Sequence, residues 1–201
     1  LMLAFHAAML APPDYWTQPV GALLAVLLAI GVVASVISLG GLIGRRRQVS
    51  ASIVTVKSEG DVTEITCRLE AQWGSHRAGH FAFITFNRLE GAHPFTIASA
   101  DRRDRTITFF IKALGNFTKN LARRAEAGQT VTIEGPYGRF QLDRSNPGRR
   151  QIWVAGGIGV TPFLAWLESL SSGQAEAQAA DPHYCTRNRE TDPFVGRLNK
   201  L

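Results

Sequence analysis

A flat ring and a hydroxyl group lie side by side in the segment HPFTIAS, residues 93–99. The ring of Phe95 can pack against a planar heterocycle, and the hydroxyl of Thr96 can form a hydrogen bond at the polar edge of that heterocycle. A phenylalanine in a strand is more often a core residue. The segment alone therefore leaves two alternatives open, a ligand surface or a packed strand.

A helix start follows in LGNFTKNL, residues 114–121, where Asn116 or Thr118 is suited to cap the helix and Gly128 to end it. The first N–H groups of a helix have no intrahelical acceptor, so they can bind a pyrophosphate. A planar-ring site and a diphosphate site would then lie on one domain.

A glycine loop lies between an apolar strand and a helix in AGGIGVTP, residues 155–162. Gly156, Gly157 and Gly159 lack a β-carbon, so a phosphate can approach the backbone N–H groups at the positive end of the helix. Thr161 is predicted to cap this helix, and Pro162 suits its first turn. The loop departs from the GxGxxG pattern, and a simple tight turn remains the alternative to nucleotide binding.

Arg187 lies just past the second predicted strand of this C-terminal region, and that strand is less apolar than a buried parallel strand usually is. A guanidinium at that position can meet the phosphate of a ribose. The alternative is a solvated arginine in an arginine-rich tail.

Alternating apolar residues predict six short strands, which are typical of a small antiparallel β-barrel. The segments are SIVTVKS, VTEITCRLE, HFAFITFN, HPFTIAS, TITFFIKAL and TVTIEG. After the linker-like residues 144–150, QIWVA predicts a strand and FLAWLESL a helix, which is the opening of a parallel α/β domain. HYCTR is interpreted as a second strand, and residues 192–201 as a second helix with Asp192 as its cap.

Residues 20–43 contain no charged side chain and predict a transmembrane helix, since about 20 apolar residues cross a hydrocarbon core of about 30 Å. Arg45, Arg46 and Arg47 follow at once, which places the remainder of the chain on the cytoplasmic side. Residues 1–10 are also apolar and are interpreted as the end of a preceding span. Their polar side chain is His6, for which a metal or haem ligand and a water-facing interfacial residue are both open.

The bulk composition excludes little. The 201 residues are 45% hydrophobic, and 22 Lys and Arg against 16 Asp and Glu give a net charge of +6. Such a charge suits nucleic acid, an anionic membrane surface or phosphorylated small ligands, but aromatic and basic residues do not interleave as a strand-binding groove requires. Cys67 and Cys185 are far apart, so they predict reduced thiols and no local zinc motif. The abrupt ends of the sequence indicate a fragment of a longer protein.

Five motifs, in order behind an apolar span, resemble one family of proteins. GHFAFITF, HPFTIAS, LGNFTKNL, EGPYGRF and WVAGGIGVTPFLAWL are similar to motifs of the ferredoxin-reductase-type flavoproteins, in particular the membrane branch of ferric reductases and NADPH oxidases.

The resemblance implies a role for each matching residue. His93, Pro94, Phe95 and Thr96 match the flavin-binding motif, with Phe95 beside the isoalloxazine and Thr96 near its N5 edge, where both serve hydride transfer. The remaining matches are Asn116, Phe117 and Thr118 for the FAD diphosphate, Gly156, Gly157, Gly159, Thr161 and Pro162 for the NADPH or NADH loop, Arg187 for NADPH selection, and His6 for haem b.

The predicted organisation is a membrane region over residues 1–46, an FAD-binding β-barrel over 47–147 and a partial NAD(P)-binding α/β domain over 148–201. The predicted function is a membrane-bound oxidoreductase that moves electrons from NAD(P)H through FAD to transmembrane haem and then to ferric iron or oxygen. Lipid is an expected partner and nucleic acid is not. The alternative is a catalytically silent, truncated membrane protein that binds flavin.

Overall fold

The computed structural model describes residues 2–40, 44–71, 73–87, 90–141, 149–176 and 179–198. It divides into two compact units, Leu1–Arg46 and Arg47–Leu201. The end of the predicted span, residues 41–43, most of the predicted linker and its domain boundary at 147 and 148, and residues 199–201 lie outside the described residues.

The first unit contains two helices, α1 (Met2–Leu10) and α2 (Pro19–Leu39), joined by a turn that includes a short 3-10 helix at Pro13–Tyr15. Helix α2 begins at a proline, whose fixed φ and missing N–H suit the first helical turn. Its 21 residues extend about 32 Å at about 1.5 Å per residue. Of the described helices, α2 has the length and apolar composition that crossing a membrane requires.

The second unit is built on a six-stranded antiparallel sheet with the strand order β4-β3-β6-β1-β2-β5. The strands are β1 (Gln48–Glu59), β2 (Val62–Leu69), β3 (Phe81–Thr85), β4 (His93–Thr96), β5 (Thr106–Lys112) and β6 (Thr130–Tyr137), and helix α3 (Asn116–Arg124) lies between the last two. All six predicted strands are confirmed.

The predicted barrel does not close into a continuous ladder. The two edge strands of the curled sheet meet near a single bridge between Ile97 and Phe109, with a hydrogen bond of 2.8 Å from the Ala98 N–H to the Thr108 carbonyl. Strand β4 ends at Thr96, and the residues that follow it contribute this bridge but no further strand before β5. The domain is therefore an open antiparallel sheet.

The concave face of the sheet forms the main core. Alternate residues point inward, so that side chains such as Ile53, Ile65, Ile84, Phe109 and Ile133 are 0 to 1% exposed. The Cys67 thiol lies in this core, and burial raises its pKa to about 12. Both cysteines are free thiols, as predicted.

Residues 149–198, here called the α/β segment, contain β7 (Gln151–Gly156), α4 (Thr161–Ser171), β8 (Ala180–Cys185) and α5 (Val195–Leu198). Strands β7 and β8 pair in parallel, which confirms the predicted βα start of a parallel sheet. Helix α5 begins at Val195, later than predicted, and the Asp192 carboxylate accepts a hydrogen bond from the Phe194 N–H at 2.9 Å.

A second apolar cluster joins the α/β segment to the outer face of the sheet. Val62 and Phe110 from the sheet pack in it with Trp153, Trp166 and Phe194 from the α/β segment. Residues Thr106 to Ile111 of β5 are consequently all buried. The alternating pattern of a half-exposed strand is absent there because both faces of β5 are covered.

Candidate functional site

A cavity of about 580 Å³ lies where the end of β5, strand β4, the start of α3 and the glycine loop meet. It brings together three segments that are far apart in the sequence. The predicted site residues that line it are His93, Pro94, Phe95, Thr96, Asn116, Phe117, Thr118, Gly159, Thr161 and Pro162. The geometry therefore places the HPFT, GNFT and GVTP motifs on one surface.

Strand β4 presents the aromatic wall of this cavity. Phe95 and Thr96 are half-buried, so their side chains are neither sealed in the core nor free in solvent. The His93 ring stacks flat on the Phe117 ring, with centroids 3.8 Å apart and planes 9° apart. The His93 Nε2 is buried without a hydrogen-bond partner among the described residues. A buried polar atom without a partner costs free energy, so a ligand that pairs with it would be stabilised.

The start of α3 is organised by the Thr118 hydroxyl. Its Oγ1 accepts hydrogen bonds from the N–H groups of Leu114 at 3.0 Å and Gly115 at 2.9 Å. The cap position is Gly115, so the prediction of Asn116 or Thr118 as the cap is wrong. Glycine has no side chain that could cap the helix. The Thr118 hydroxyl, at the third helical position, accepts the backbone hydrogen bonds instead.

The first helical N–H groups of α3 remain available. The first helical hydrogen bond runs from the Lys119 N–H to the Gly115 carbonyl at 2.9 Å, so the preceding N–H groups have no intrahelical acceptor. Lys112 also lines the cavity, and its ammonium lies 3.2 Å from the Asp61 carboxylate. A helix start and a lysine together make this end of the cavity suitable for a diphosphate.

The glycine loop turns directly from β7 into α4. Gly157 has φ of +50°, a left-handed conformation that glycine adopts without steric cost. Gly157–Val160 forms a 3-10 turn that continues into the helix, so the cap of α4 is Val160 and the prediction of Thr161 as the cap is wrong. The Thr161 hydroxyl donates a hydrogen bond to the Ile158 carbonyl at 3.0 Å.

Three of the residues predicted to bind the pyridine nucleotide do not line the cavity. Gly156 and Gly157 lie just before its edge in the loop, and Arg187 is exposed two residues after β8 ends. Gly156 pairs with Cys185, so Arg187 follows the carboxyl end of the strand that neighbours the glycine loop. Arg187 therefore lies near the edge of the sheet at which the glycine loop begins, and it does not line the cavity.

Sequence reasoning missed six lining residues. They are Phe110, Ile111, Lys112, Leu114, Gly115 and Ile158. Lys112 could have been predicted from the sequence as a phosphate-binding residue, since it is a cation just before the LGNFT motif. Phe110 could not have been predicted, because its position on the covered face of β5 depends on the packing of the α/β segment.

His6 lies on α1 in the first unit and is exposed. Its Nδ1 is 3.2 Å from the Met2 carbonyl, one helical turn away. The described residues contain no group of three or more His, Cys, Asp or Glu side chains that could hold a metal ion. The structure thus gives His6 a local hydrogen bond within its own helix.

Comparisons with known proteins bear on the second unit. The sequence model of a family described as "FAD-binding domain" matches residues 46–141. Methane monooxygenase component C from Methylosinus trichosporium is 32% identical over 130 residues, which are 61% of this chain and 36% of that protein. Ferric reduction oxidase 8, mitochondrial, from Arabidopsis thaliana is 33% identical over 90 residues, 40% of this chain and 12% of that protein.

The fold has a counterpart among solved structures. Phthalate dioxygenase reductase superposes with a TM-score of 0.66 at 19% identity, over 77% of this chain and 49% of that one. The chain therefore spans about a third or less of these two curated relatives and about half of this structure. Residues 46–141 are thus similar in sequence to an FAD-binding domain, and the antiparallel sheet and the superposition show the ferredoxin-reductase-type fold.

Proposed function

We propose that this chain is part of a membrane-anchored oxidoreductase that moves electrons from NAD(P)H through FAD to haem and then to ferric iron or oxygen. The observation that carries the proposal is the single cavity of about 580 Å³ that the flavin-type, diphosphate-type and glycine-loop motifs share. Separate sites would hold a flavin and a nicotinamide too far apart to react, whereas one cavity holds them in contact.

In this proposal the residues of the sheet hold FAD, which when bound accepts a hydride and releases electrons singly. Phe95 packs beside the ring system, and Thr96 forms a hydrogen bond at its polar edge. The buried Nε2 of His93 gains a partner from the cofactor. The start of α3 and Lys112 neutralise the diphosphate.

The glycine loop receives the pyridine nucleotide in this proposal. Gly156, Gly157 and Gly159 allow the backbone to approach the nucleotide phosphates, and Thr161 and Pro162 begin the helix whose positive end faces them. Arg187 would contact the 2′-phosphate that distinguishes NADPH from NADH. Its exposed place after β8 leaves the guanidinium free to reach a bound nucleotide.

The membrane part of the proposal depends on α2. Its length and apolar composition support a span, and the three arginines at 45–47 support a cytoplasmic location for the second unit. The similarity to ferric reduction oxidase 8 supports ferric iron as an acceptor. Oxygen is the competing acceptor, and His6 is the proposed haem ligand in this chain.

An absorbance spectrum of the purified, detergent-solubilised protein tests the proposal. We expect a flavin spectrum after incubation with FAD, and bleaching of that spectrum when NADPH or NADH is added without oxygen. A flavin spectrum that neither nucleotide bleaches would favour the silent flavin-binding protein. The absence of bound flavin would reject both functions.

A further inference from the structure

Two ion pairs of opposite polarity join the FAD-binding sheet to the α/β segment. Arg102, in the loop after β4, donates two hydrogen bonds to the Glu168 carboxylate of α4, from Nε at 2.6 Å and from Nη2 at 3.0 Å. Arg197 of α5 donates from Nη2 to the Glu64 carboxylate of β2 at 2.5 Å. Each partner thus contributes one arginine and one glutamate.

The two pairs are held by further contacts on the outer face of β2 and β5. Arg102 Nη1 donates to the Thr108 hydroxyl at 3.1 Å. The Arg197 guanidinium lies 4.8 Å from the centre of the Phe110 ring. Glu64 faces Phe110 across the two strands, so one small area of the sheet carries both contacts.

These pairs differ from ordinary surface ion pairs. The Glu64 side chain is 16% exposed and the Glu168 side chain 31% exposed, so both carboxylates are partly removed from water. The Arg102 pair is bidentate, a geometry that fixes direction as well as distance. A cavity of about 320 Å³ lies among the four side chains, so the ion pairs bridge a gap beside the apolar cluster that joins the two partners.

Helix α4 connects one pair to the proposed nucleotide site. It begins at Thr161, which lines the large cavity, and Glu168 lies seven residues later, about 10 Å along the axis. The helix is stiff over that length, so a shift at Glu168 moves the glycine loop relative to Thr96.

We propose that Arg102, Glu168, Glu64 and Arg197 are positioning residues that set the distance between the glycine loop and the flavin-type surface at Phe95 and Thr96. The two pairs resist sliding of the α/β segment over the sheet, because a slide that separates either arginine from its glutamate weakens a charge-assisted hydrogen bond. This inference rests on the proposed function only for its kinetic consequence. The positional consequence stands on the structure alone.

The positional consequence is tested by a spin-label distance in the full chain. Labels at Lys57→Cys on β1 and Ser172→Cys after α4, in a Cys185→Ser background, report the separation of the two parts without any cofactor. We expect the distance distribution to broaden in Arg102→Gln and in Glu64→Gln. Asp181→Asn is the matched control, since Asp181 pairs with Arg150 inside the α/β segment. Distributions in Arg102→Gln and Glu64→Gln that match the unaltered protein would overturn the proposal.

The kinetic consequence is tested by flavin reduction in stopped flow. We expect Arg102→Gln to slow reduction by NADPH roughly tenfold, within the roughly 100-fold that a 1 Å misplacement can cost, with FAD affinity unchanged. The double variant Arg102→Gln/Glu168→Gln should be no slower than either single variant, because the two residues act as one contact. Losses of reduction rate that add in the double variant would overturn the proposal that the two residues act as one contact. A loss of FAD affinity as large as the loss of rate would overturn it as well. If the unaltered protein bound FAD without being reduced, the proposed function would fall, while the spin-label distances would still decide the positioning role.

Discussion

At the scale of single residues, Thr96 carries the hydroxyl that we propose to bond to the flavin edge. It is half-buried at the end of β4 and lines the large cavity next to Phe95. A hydroxyl in that position can bond to a ligand, while its methyl group keeps the strand packed. The proposed chemical role of this side chain can therefore be separated from its structural one.

We expect Thr96→Val to slow flavin reduction by NADPH roughly two- to tenfold, the equivalent of a hydrogen bond of about 0.5–1.5 kcal/mol. The free energy of unfolding should change little, because valine keeps the shape of threonine. Stopped-flow absorbance measures the rate, and urea unfolding measures stability. An unchanged reduction rate would reject the role of Thr96.

His76, which lies outside the large cavity, is a buried histidine with a lowered pKa. It is 4% exposed, and its Nε2–H donates to the Ser99 carbonyl at 3.0 Å. Burial lowers the pKa of His76 below its usual value, although the Ser99 carbonyl and the carboxylates of Asp101 and Glu168 partly oppose that shift. The folded protein therefore disfavours the charged imidazolium.

This lowered pKa predicts the sign of a pH effect. Below its usual value of about 6.5 the unfolded chain binds a proton that the folded His76 resists, so stability is lost as pH falls. We expect the urea midpoint to be lower at about pH 5.5 than at about pH 7.5. His76→Gln keeps a donor for Ser99, and its pH dependence should be weaker. An equal pH dependence in both proteins would assign the effect to other groups.

At the scale of elements, the short helix α3 depends on a side chain that follows its start. Thr118 accepts the N–H groups of Leu114 and Gly115, and this arrangement holds the first turn open toward the cavity. The hydrophobic contact of the helix with the core comes chiefly from the buried Leu121. The Thr118 hydrogen bonds and the burial of Leu121 thus stabilise α3 in separate ways.

We expect Thr118→Ala to lower the free energy of unfolding by about 1 kcal/mol, since the Gly115 N–H loses the Thr118 hydroxyl as its acceptor and the Leu114 N–H keeps only the Lys112 carbonyl. FAD affinity should weaken at the same time, because the helix start would no longer be held in place. Thr118→Ser is the matched control and should restore both properties. Calorimetry and FAD titration provide the measurements, and loss of affinity in the serine variant as well would contradict this explanation.

At the scale of the whole molecule, the division into two compact units predicts that the second unit can be separated from the first and still bind FAD. Arg47–Leu201 contains the complete sheet, the second apolar cluster and the large cavity. Leu1–Arg46 contains the apolar helix α2, whose side chains such as Leu23 and Val26 are exposed. An exposed apolar helix of this length needs lipid, detergent or a partner to cover it.

We expect the Arg47–Leu201 fragment to remain in the supernatant after ultracentrifugation without detergent and to bind FAD as the full chain does. The full chain should sediment with membranes and resist extraction by alkaline carbonate, because a spanning helix is held by apolar burial. Fluorescence titration with FAD compares the two forms. Extraction of the full chain by carbonate would reject the span.

The sequence by itself determined the local chemistry of this protein. Alternation of apolar residues defined the six strands, and Gly157 marked a turn that only glycine adopts easily, because these properties depend on neighbours along the chain. Tertiary structure alone decided which motifs meet. It joined the two edge strands by a bridge between Ile97 and Phe109 in place of a continuous ladder, and it moved the helix caps to Gly115 and Val160. It also brought Lys112 into the cavity while Arg187 stayed outside. These outcomes depend on how the two apolar clusters pack, and packing between distant segments has no signature in a local pattern.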